Sequence, residues 1–139
     1  MRDLGAAFAR AHAVRDPAAT QEGLVRTAAK AERAPVIVVV VARLVPHAKV
    51  REWEQLVAAG CAAQNLCLAA TALGYGSMWR TGWFAEHPVV LAHLGLAEDE
   101  RIIGFVYLGT VDAAHRVPSR ELDTACVTWL TDRAAVHNG

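Results

Sequence analysis

The run from Arg51 to Leu73 constrains this chain most, because no proline interrupts it and it is rich in alanine, leucine and cysteine. A helix that is apolar on nearly all sides is typically buried. At ~1.5 Å per residue this helix would be about 34 Å long, enough to cross a small domain. In a chain of 139 residues its length favours the spine of a dimer over the core helix of a monomer. Both interpretations fit the sequence.

Two further runs predict the strands of a sheet. Pro35–Ala42 is β-branched and lacks polar alternation, which is typical of a central strand buried on both faces, with helices on each side of the sheet. Ile102–Leu108 predicts a second buried strand, in which Gly104 marks a close approach of another group to the backbone. A shorter extended segment is expected at Ser77–Arg80.

Shorter helices are predicted around these strands from apolar spacing and from capping residues. The predicted spans are Asp3–Val14, Thr20–Glu32 with Thr20 as the N-cap, and Pro88–Leu94 closed by Gly95. In the second helix the four-residue spacing of Glu22, Arg26 and Lys30 indicates a solvated face. Near the end of the chain, Cys126–Leu130 would need a surface to pack against, and a partner subunit is one solution.

Composition limits the classes of partner and location. Lys and Arg total 14, and Asp and Glu also total 14, so no net field attracts nucleic acid or an anionic membrane. The longest purely apolar run, 34–42, is far shorter than the ~18 residues of a membrane span. The three cysteines form no CxxC pair, and no signal peptide is recognised at Met1-Arg2-Asp3. We therefore expect a cytoplasmic protein with reduced thiols.

The segment Gly74–Gly82, sequence GYGSMWRTG, is the candidate ligand-binding segment. Gly74 and Gly76 permit backbone angles that other residues resist, and Gly74 would also cap the long helix. Trp79 offers a flat apolar face and Arg80 a charged planar fork, which together suit a planar, electron-rich ligand. The alternative is a capped helix followed by an ordinary surface loop.

No side chain in the sequence is a clear nucleophile, general base or metal ligand. The six histidines are scattered and form no HxxxH or HExxH pair, and no GxSxG, P-loop or GxGxxG motif follows a strand. Cys61 and Cys67 fall on the predicted buried helix, where an inert thiol is the common case. If the protein is an enzyme, a cofactor carries the chemistry.

Five ordered blocks of sequence resemble the flavin-dependent nitroreductase family, and in particular its minimal, single-domain branch. The blocks are Lys49–Gln55, Ala59–Ala62, Gly74–Gly82, Pro88–Val90 and Ile103–Thr110. The resemblance runs from the first helix to about Thr110, with a weaker echo at 127–129. It identifies residues 1–139 as one partial domain of this family.

The resemblance implies an α+β nitroreductase-like fold, with a central β-sheet flanked by helices and a long buried dimer helix. It implies a homodimer with one FMN at each end of the interface. It also implies two-electron ping-pong chemistry, in which NAD(P)H reduces the flavin and a nitroaromatic or quinone-like small molecule then takes the electrons.

The resemblance also implies particular site residues. FMN contacts are assigned to Trp79, Arg80 and Thr81, with Arg80 as the charge partner of the reduced ring. A nicotinamide nucleotide is assigned to the end of the long helix, at Ala69, Ala70, Thr71, Ala72, Leu73 and Gly74. No catalytic side chain and no metal ligand is assigned.

The chain departs from the family at its opening. Family members begin with two helices and a first strand, which carry an Arg-Arg-Ser-x-Arg motif for the flavin phosphate; nothing in this sequence matches them. Losing the strand would leave a sheet edge unpaired. We consider three hypotheses: a shortened FMN-dependent oxidoreductase, a non-catalytic remnant that acts as a dimerising or ligand-binding subunit, and a chain that binds FMN only with a full-length paralogue.

Overall fold

The computed structural model describes residues 1–111 and 126–128. Its helices are α1 (Arg2–Arg15), α2 (Gln21–Ala28), α3 (Glu52–Ala72) and α4 (Pro88–His93), and short 3-10 helices span Ala29–Glu32 and Trp83–Glu86. Its strands are β1 (Val36–Arg43), β2 (Gly76–Arg80) and β3 (Glu100–Gly109). The helices and strands predicted within residues 1–111 are confirmed, with small shifts at their ends. The prediction for Cys126–Leu130 lies partly outside the described residues.

The three strands form one antiparallel sheet in the order β1-β3-β2. The prediction that 35–42 is the central strand is wrong, because β3 takes the centre and β1 lies at an edge of the described sheet. Val36 on β1 is 50% exposed, whereas Val106 on β3 is fully buried. Both strands are apolar, so hydrophobicity alone did not indicate which one had a neighbour on each side.

The hydrophobic core lies between one face of the sheet and helices α1 and α4. Phe8 of α1 packs against Phe84 with ring centroids 4.4 Å apart, and against Phe105 of β3 edge-on at 5.4 Å. Val90 of α4 is fully buried in the same cluster. This core holds α1 over the sheet and leaves an opening beyond the end of β2.

Helix α3 packs on the opposite face of the sheet and is largely exposed within the single chain. Only Ala63 and Ala70 are buried among its residues within the single chain, so the interpretation of α3 as the core helix of a monomer is wrong, and burial in a dimer stays a prediction. The physical reason is that a three-stranded sheet covers only a narrow stripe of a helix of 21 residues. By length and composition α3 is apolar enough to cross a membrane, a property that it shares with core helices of soluble proteins.

Backbone geometry and hydrogen bonds confirm the predicted caps of α2 and α3. The Thr20 hydroxyl accepts a hydrogen bond from the Gly23 backbone N–H at 3.1 Å, which caps α2. At the end of α3, Gly74 has a φ of 82°. Its N–H donates to the Thr71 carbonyl, and the Tyr75 N–H donates to the Ala70 carbonyl, as in a Schellman motif. This turn directs the chain from α3 straight into β2.

Candidate functional site: an aromatic cavity with a basic rim

A cavity of about 970 Å³ opens on the α1 side of the sheet, beside the loop that follows β2. Aromatic rings supply much of its lining, from Phe8 of α1, Trp83 and Phe84 of the 3-10 helix, and Phe105 and Tyr107 of β3. Its size lies at the upper end of the range of small-molecule sites. Its flat, apolar surfaces suit a ligand with a planar ring system.

The antiparallel register determines which side chains of β2 face the cavity. Met78 pairs with Tyr107, and Arg80 pairs with Phe105. Because side chains alternate between the two faces of a strand, Met78 and Arg80 lie on the cavity side together with those two aromatic residues. Thr81 and Gly82 follow directly and continue the cavity wall.

Three cationic side chains line the cavity, and no carboxylate does so among the described lining residues. Lys30 and Arg33 come from the end of the α2 region, and Arg80 comes from β2. The Arg80 Nε donates to the Met78 sulfur at 3.1 Å, and the Lys30 Nζ lies 5.1 Å from the centre of the Phe84 ring. None of the three joins an ion pair within the described part of the chain. The cavity therefore favours a ligand that carries negative charge.

Tyr107 is a half-buried phenol on the floor of this cavity. Burial raises the pKa of Tyr107 above its ordinary value of 10.0, while the charges of Arg33 and Arg80 act in the opposite direction and offset part of the rise. The phenol is therefore protonated at neutral pH and can donate a hydrogen bond.

The structure places the predicted FMN residues on two faces of the sheet. Arg80 and Thr81 line the cavity, whereas Trp79 does not. The Trp79 indole N–H donates to the Ile103 carbonyl at 3.2 Å, and its ring lies against Gly104 of β3 and near Gly60 of α3. In this chain Trp79 bridges the sheet to α3, which is a structural role that the sequence did not indicate.

The predicted nicotinamide segment 69–74 lies at the end of α3, outside the cavity lining. Ala70 is buried, while Leu73 is 74% exposed. Cys61 and Cys67 also lie on α3 away from the cavity; Cys61 is exposed and Cys67 half-buried, so neither thiol is buried within the single chain.

The sequence interpretation missed three residues of the cavity. The charge spacing predicts a solvated helical face for Lys30, and no motif marks Arg33 or Tyr107, yet all three line the cavity. The i, i+3 spacing of Lys30 and Arg33, directly before a strand, was an available signal for two cations on one side. For Tyr107 the signal was the one polar side chain in the otherwise apolar run Ile102–Leu108.

A helix-flanked α+β sheet with an aromatic, cation-rimmed cavity is suited to a planar, negatively charged small molecule. Sequence comparison is consistent with this class, since the Nitroreductase family profile matches residues 1–110. The chain belongs to the nitroreductase family, which confirms the resemblance found in the sequence.

Individual relatives agree with the family assignment. The chain is 47% identical over 78 residues to the protein named "Putative NAD(P)H nitroreductase YdjA" of Escherichia coli (strain K12), covering 56% of this chain and 43% of that protein. It is 38% identical over 113 residues to a "Putative NAD(P)H nitroreductase" of Haemophilus influenzae, covering 79% of this chain and 61% of that protein. The chain therefore spans about half the length of these curated relatives.

A solved structure shows the same fold. The chain superposes on a nitroreductase with bound FMN from Bacteroides fragilis with a TM-score of 0.63 and 24% identity, over 91% of this chain and 70% of that one. The α+β nitroreductase-like fold is thereby confirmed.

Proposed function

We propose that this protein is an FMN-dependent NAD(P)H oxidoreductase that reduces nitroaromatic or quinone-like acceptors. The observation that carries the proposal is the cavity, in which Lys30, Arg33 and Arg80 lie beside aromatic side chains, with no carboxylate among the lining residues that the structure describes. The names of the two relatives and the FMN in the structural neighbour support it.

The donor set of the cavity fits FMN. The isoalloxazine ring is planar and apolar on its faces, which matches the surfaces of Phe105 and Tyr107, and its phosphate and reduced ring are anionic, which matches the cationic rim. Gly82, directly after Thr81, leaves the backbone open to a ring edge. Gly82 has a φ of 90° and nothing within 4 Å of the position of a Cβ.

The residues of this chain would bind, orient and stabilise the cofactor. Arg80 would hold the edge of the ring on which negative charge develops, and Lys30 and Arg33 would add positive potential from the opposite wall. When bound, FMN supplies the redox chemistry, accepting hydride from NAD(P)H and passing two electrons to the acceptor. The exposed end of α3 at 69–74 would serve the nicotinamide nucleotide.

A simple spectroscopic experiment tests this proposal. The purified chain is incubated with FMN, passed through a desalting column and examined for the visible absorbance of a bound oxidised flavin. The loaded protein is then assayed for oxidation of NADH and NADPH with a nitroaromatic or a quinone. A chain that neither retains FMN nor oxidises either nucleotide would contradict the proposal and favour the non-catalytic subunit, whose supporting observation is the exposed apolar surface of α3.

Mixing the chain with a full-length family member tests the hypothesis that FMN binds only with a paralogue. A family member that carries the Arg-Arg-Ser-x-Arg motif is added to the chain before FMN, and flavin uptake is compared with the sum of the separate proteins. Uptake above this sum favours a shared site. Uptake equal to the sum contradicts it.

We further propose that α3 forms the interface of a homodimer. Its exposed apolar side chains lie at helical spacing on one face, with Trp53, Val57 and Leu68 each 57–59% exposed. A second copy of the same helix would cover this face, since exposed apolar patches of this kind mark interaction surfaces. A cytoplasmic location and the absence of nucleic-acid partners remain predictions from composition.

Val57→Asp is expected to convert the dimer to a monomer, because a charge would be buried without a partner within the proposed interface. Light scattering after size-exclusion chromatography measures the mass. Val25→Asp is the matched control, since Val25 is 58% exposed on α2. Monomeric wild-type protein would contradict the dimer, and wild-type protein that partitions onto neutral lipid vesicles would point instead to a membrane as the partner of α3.

A further inference from the structure

The hydroxyl of Tyr107 is the polar group of the cavity floor that the flavin proposal leaves without a role. Within the described residues, no backbone or side-chain group forms a hydrogen bond with it. The side chain is half-buried, and the guanidinium groups of Arg33 and Arg80 are both close enough for their charges to act on the phenol. Polar groups of this kind usually find a partner, either water or a ligand.

The fold holds the Tyr107 ring in a defined position. β3 is the central strand, so Tyr107 has a paired residue on each side, Ile37 of β1 and Met78 of β2. The ring also packs against the aromatic core cluster that contains Phe105. A side chain supported on both sides loses little further freedom when it binds a ligand, which makes its hydrogen bond effective.

The charges around Tyr107 indicate what kind of group it would contact. Arg33 lies just before β1 and Arg80 at the end of β2, so the two cations flank the central strand on which Tyr107 lies. An anionic group held between these guanidinium groups would place an acceptor oxygen next to the phenol hydroxyl. A protonated phenol complements the acceptor, whereas phenylalanine would leave it unpaired.

We propose that Tyr107 is a ligand-positioning residue, whose hydroxyl donates a hydrogen bond to an anionic or carbonyl oxygen of the flavin held between Arg33 and Arg80. The inference rests on the proposed binding of FMN in this cavity. The Tyr107 hydroxyl would be a neutral donor beside the cationic side chains. The cavity would therefore prefer a ligand with an acceptor oxygen next to that hydroxyl.

Tyr107→Phe tests the inference, because it removes the hydroxyl and keeps the ring. The chain has two tyrosines, and Tyr75→Phe is the matched control, since Tyr75 is 53% exposed and does not line the cavity. The Kd for FMN is measured at neutral pH by quenching of flavin fluorescence. We expect the Kd of Tyr107→Phe to rise about 3- to 10-fold, the size of one neutral hydrogen bond. Tyr75→Phe should match the wild type.

The pH dependence separates this role from a merely structural one. Only the protonated phenol donates, so the ratio of the Tyr107→Phe Kd to the wild-type Kd should be largest at neutral pH and fall as Tyr107 ionises. The unfolding midpoints of FMN-free Tyr107→Phe and FMN-free wild type should agree. An equal Kd for the two proteins, or a ratio that does not change with pH, overturns the inference while the flavin proposal stands. Wild-type protein that binds no FMN overturns both.

Discussion

Gly104→Ala is expected to lower the free energy of unfolding by about 1–3 kcal/mol, the usual cost of forcing an extra group into a packed site. A Cβ at Gly104 would clash with Trp79 Nε1 and would lie 2.5 Å from its Cδ1 and 2.9 Å from the Arg80 carbonyl oxygen. The carbonyl belongs to the paired strand and cannot move without disturbing the sheet. The indole would have to leave its place and give up the hydrogen bond to the Ile103 carbonyl.

Chemical denaturation measures the loss of stability, and Gly60→Ala is the matched control. A Cβ at Gly60 would meet the same Trp79 ring at 3.8 Å, an ordinary contact. Alanine also favours a helix over glycine by about 1 kcal/mol, so Gly60→Ala should not destabilise the protein. If Gly104→Ala unfolds at the same denaturant concentration as the wild type, the Trp79 indole does not pack closely against β3, and the prediction fails.

Arg80→Ala is expected to weaken FMN binding about 10- to 100-fold, because one charge-assisted hydrogen bond contributes roughly 1.5–3 kcal/mol. Arg80 lines the cavity and has no carboxylate partner in the described residues, so its guanidinium is available to the ligand. Flavin reduction by NAD(P)H should slow as well, since negative charge on the reduced ring loses its stabilising partner. Flavin fluorescence measures the affinity, and stopped-flow absorbance measures the reduction.

Cys67→Ala provides the comparison for Arg80→Ala. Cys67 is half-buried on α3 and does not line the cavity, so its replacement should leave turnover nearly unchanged. Arg80→Lys keeps the charge but loses the planar fork, and we expect an intermediate affinity. Equal losses in Arg80→Ala and Cys67→Ala would place the flavin outside this cavity.

Local features of the sequence predicted the helices and strands well. Thr20 supplies a side-chain acceptor at the start of α2, and the glycine at 74 adopts the positive φ that ends α3. Gly104 was predicted to mark a close approach, and the structure confirms it with the Trp79 ring. Such features depend on the residue itself and its nearest neighbours in sequence, so they can be predicted from the sequence alone.

The blocks Gly74–Gly82 and Ile103–Thr110 indicated the family, and the comparison confirms it over residues 1–110. The place of each strand in the sheet was not predictable, because β1 and β3 are both apolar and only the pairing makes β3 central. Apolar composition likewise indicated that α3 needs to be covered, but it does not show whether the same chain or a partner covers it.

The sequence thus determined the secondary structure and the family, because each rests on local chemistry or on a contiguous motif; a binding role for Arg80 is its prediction. The tertiary structure decided which side chains meet. Strand alternation sends Arg80 into the cavity and its neighbour Trp79 to the opposite face. The fold also brings Lys30, Arg33 and Tyr107 to the same cavity from distant parts of the chain. These residues come together through the pairing of distant segments. Their positions along the sequence do not predict that pairing.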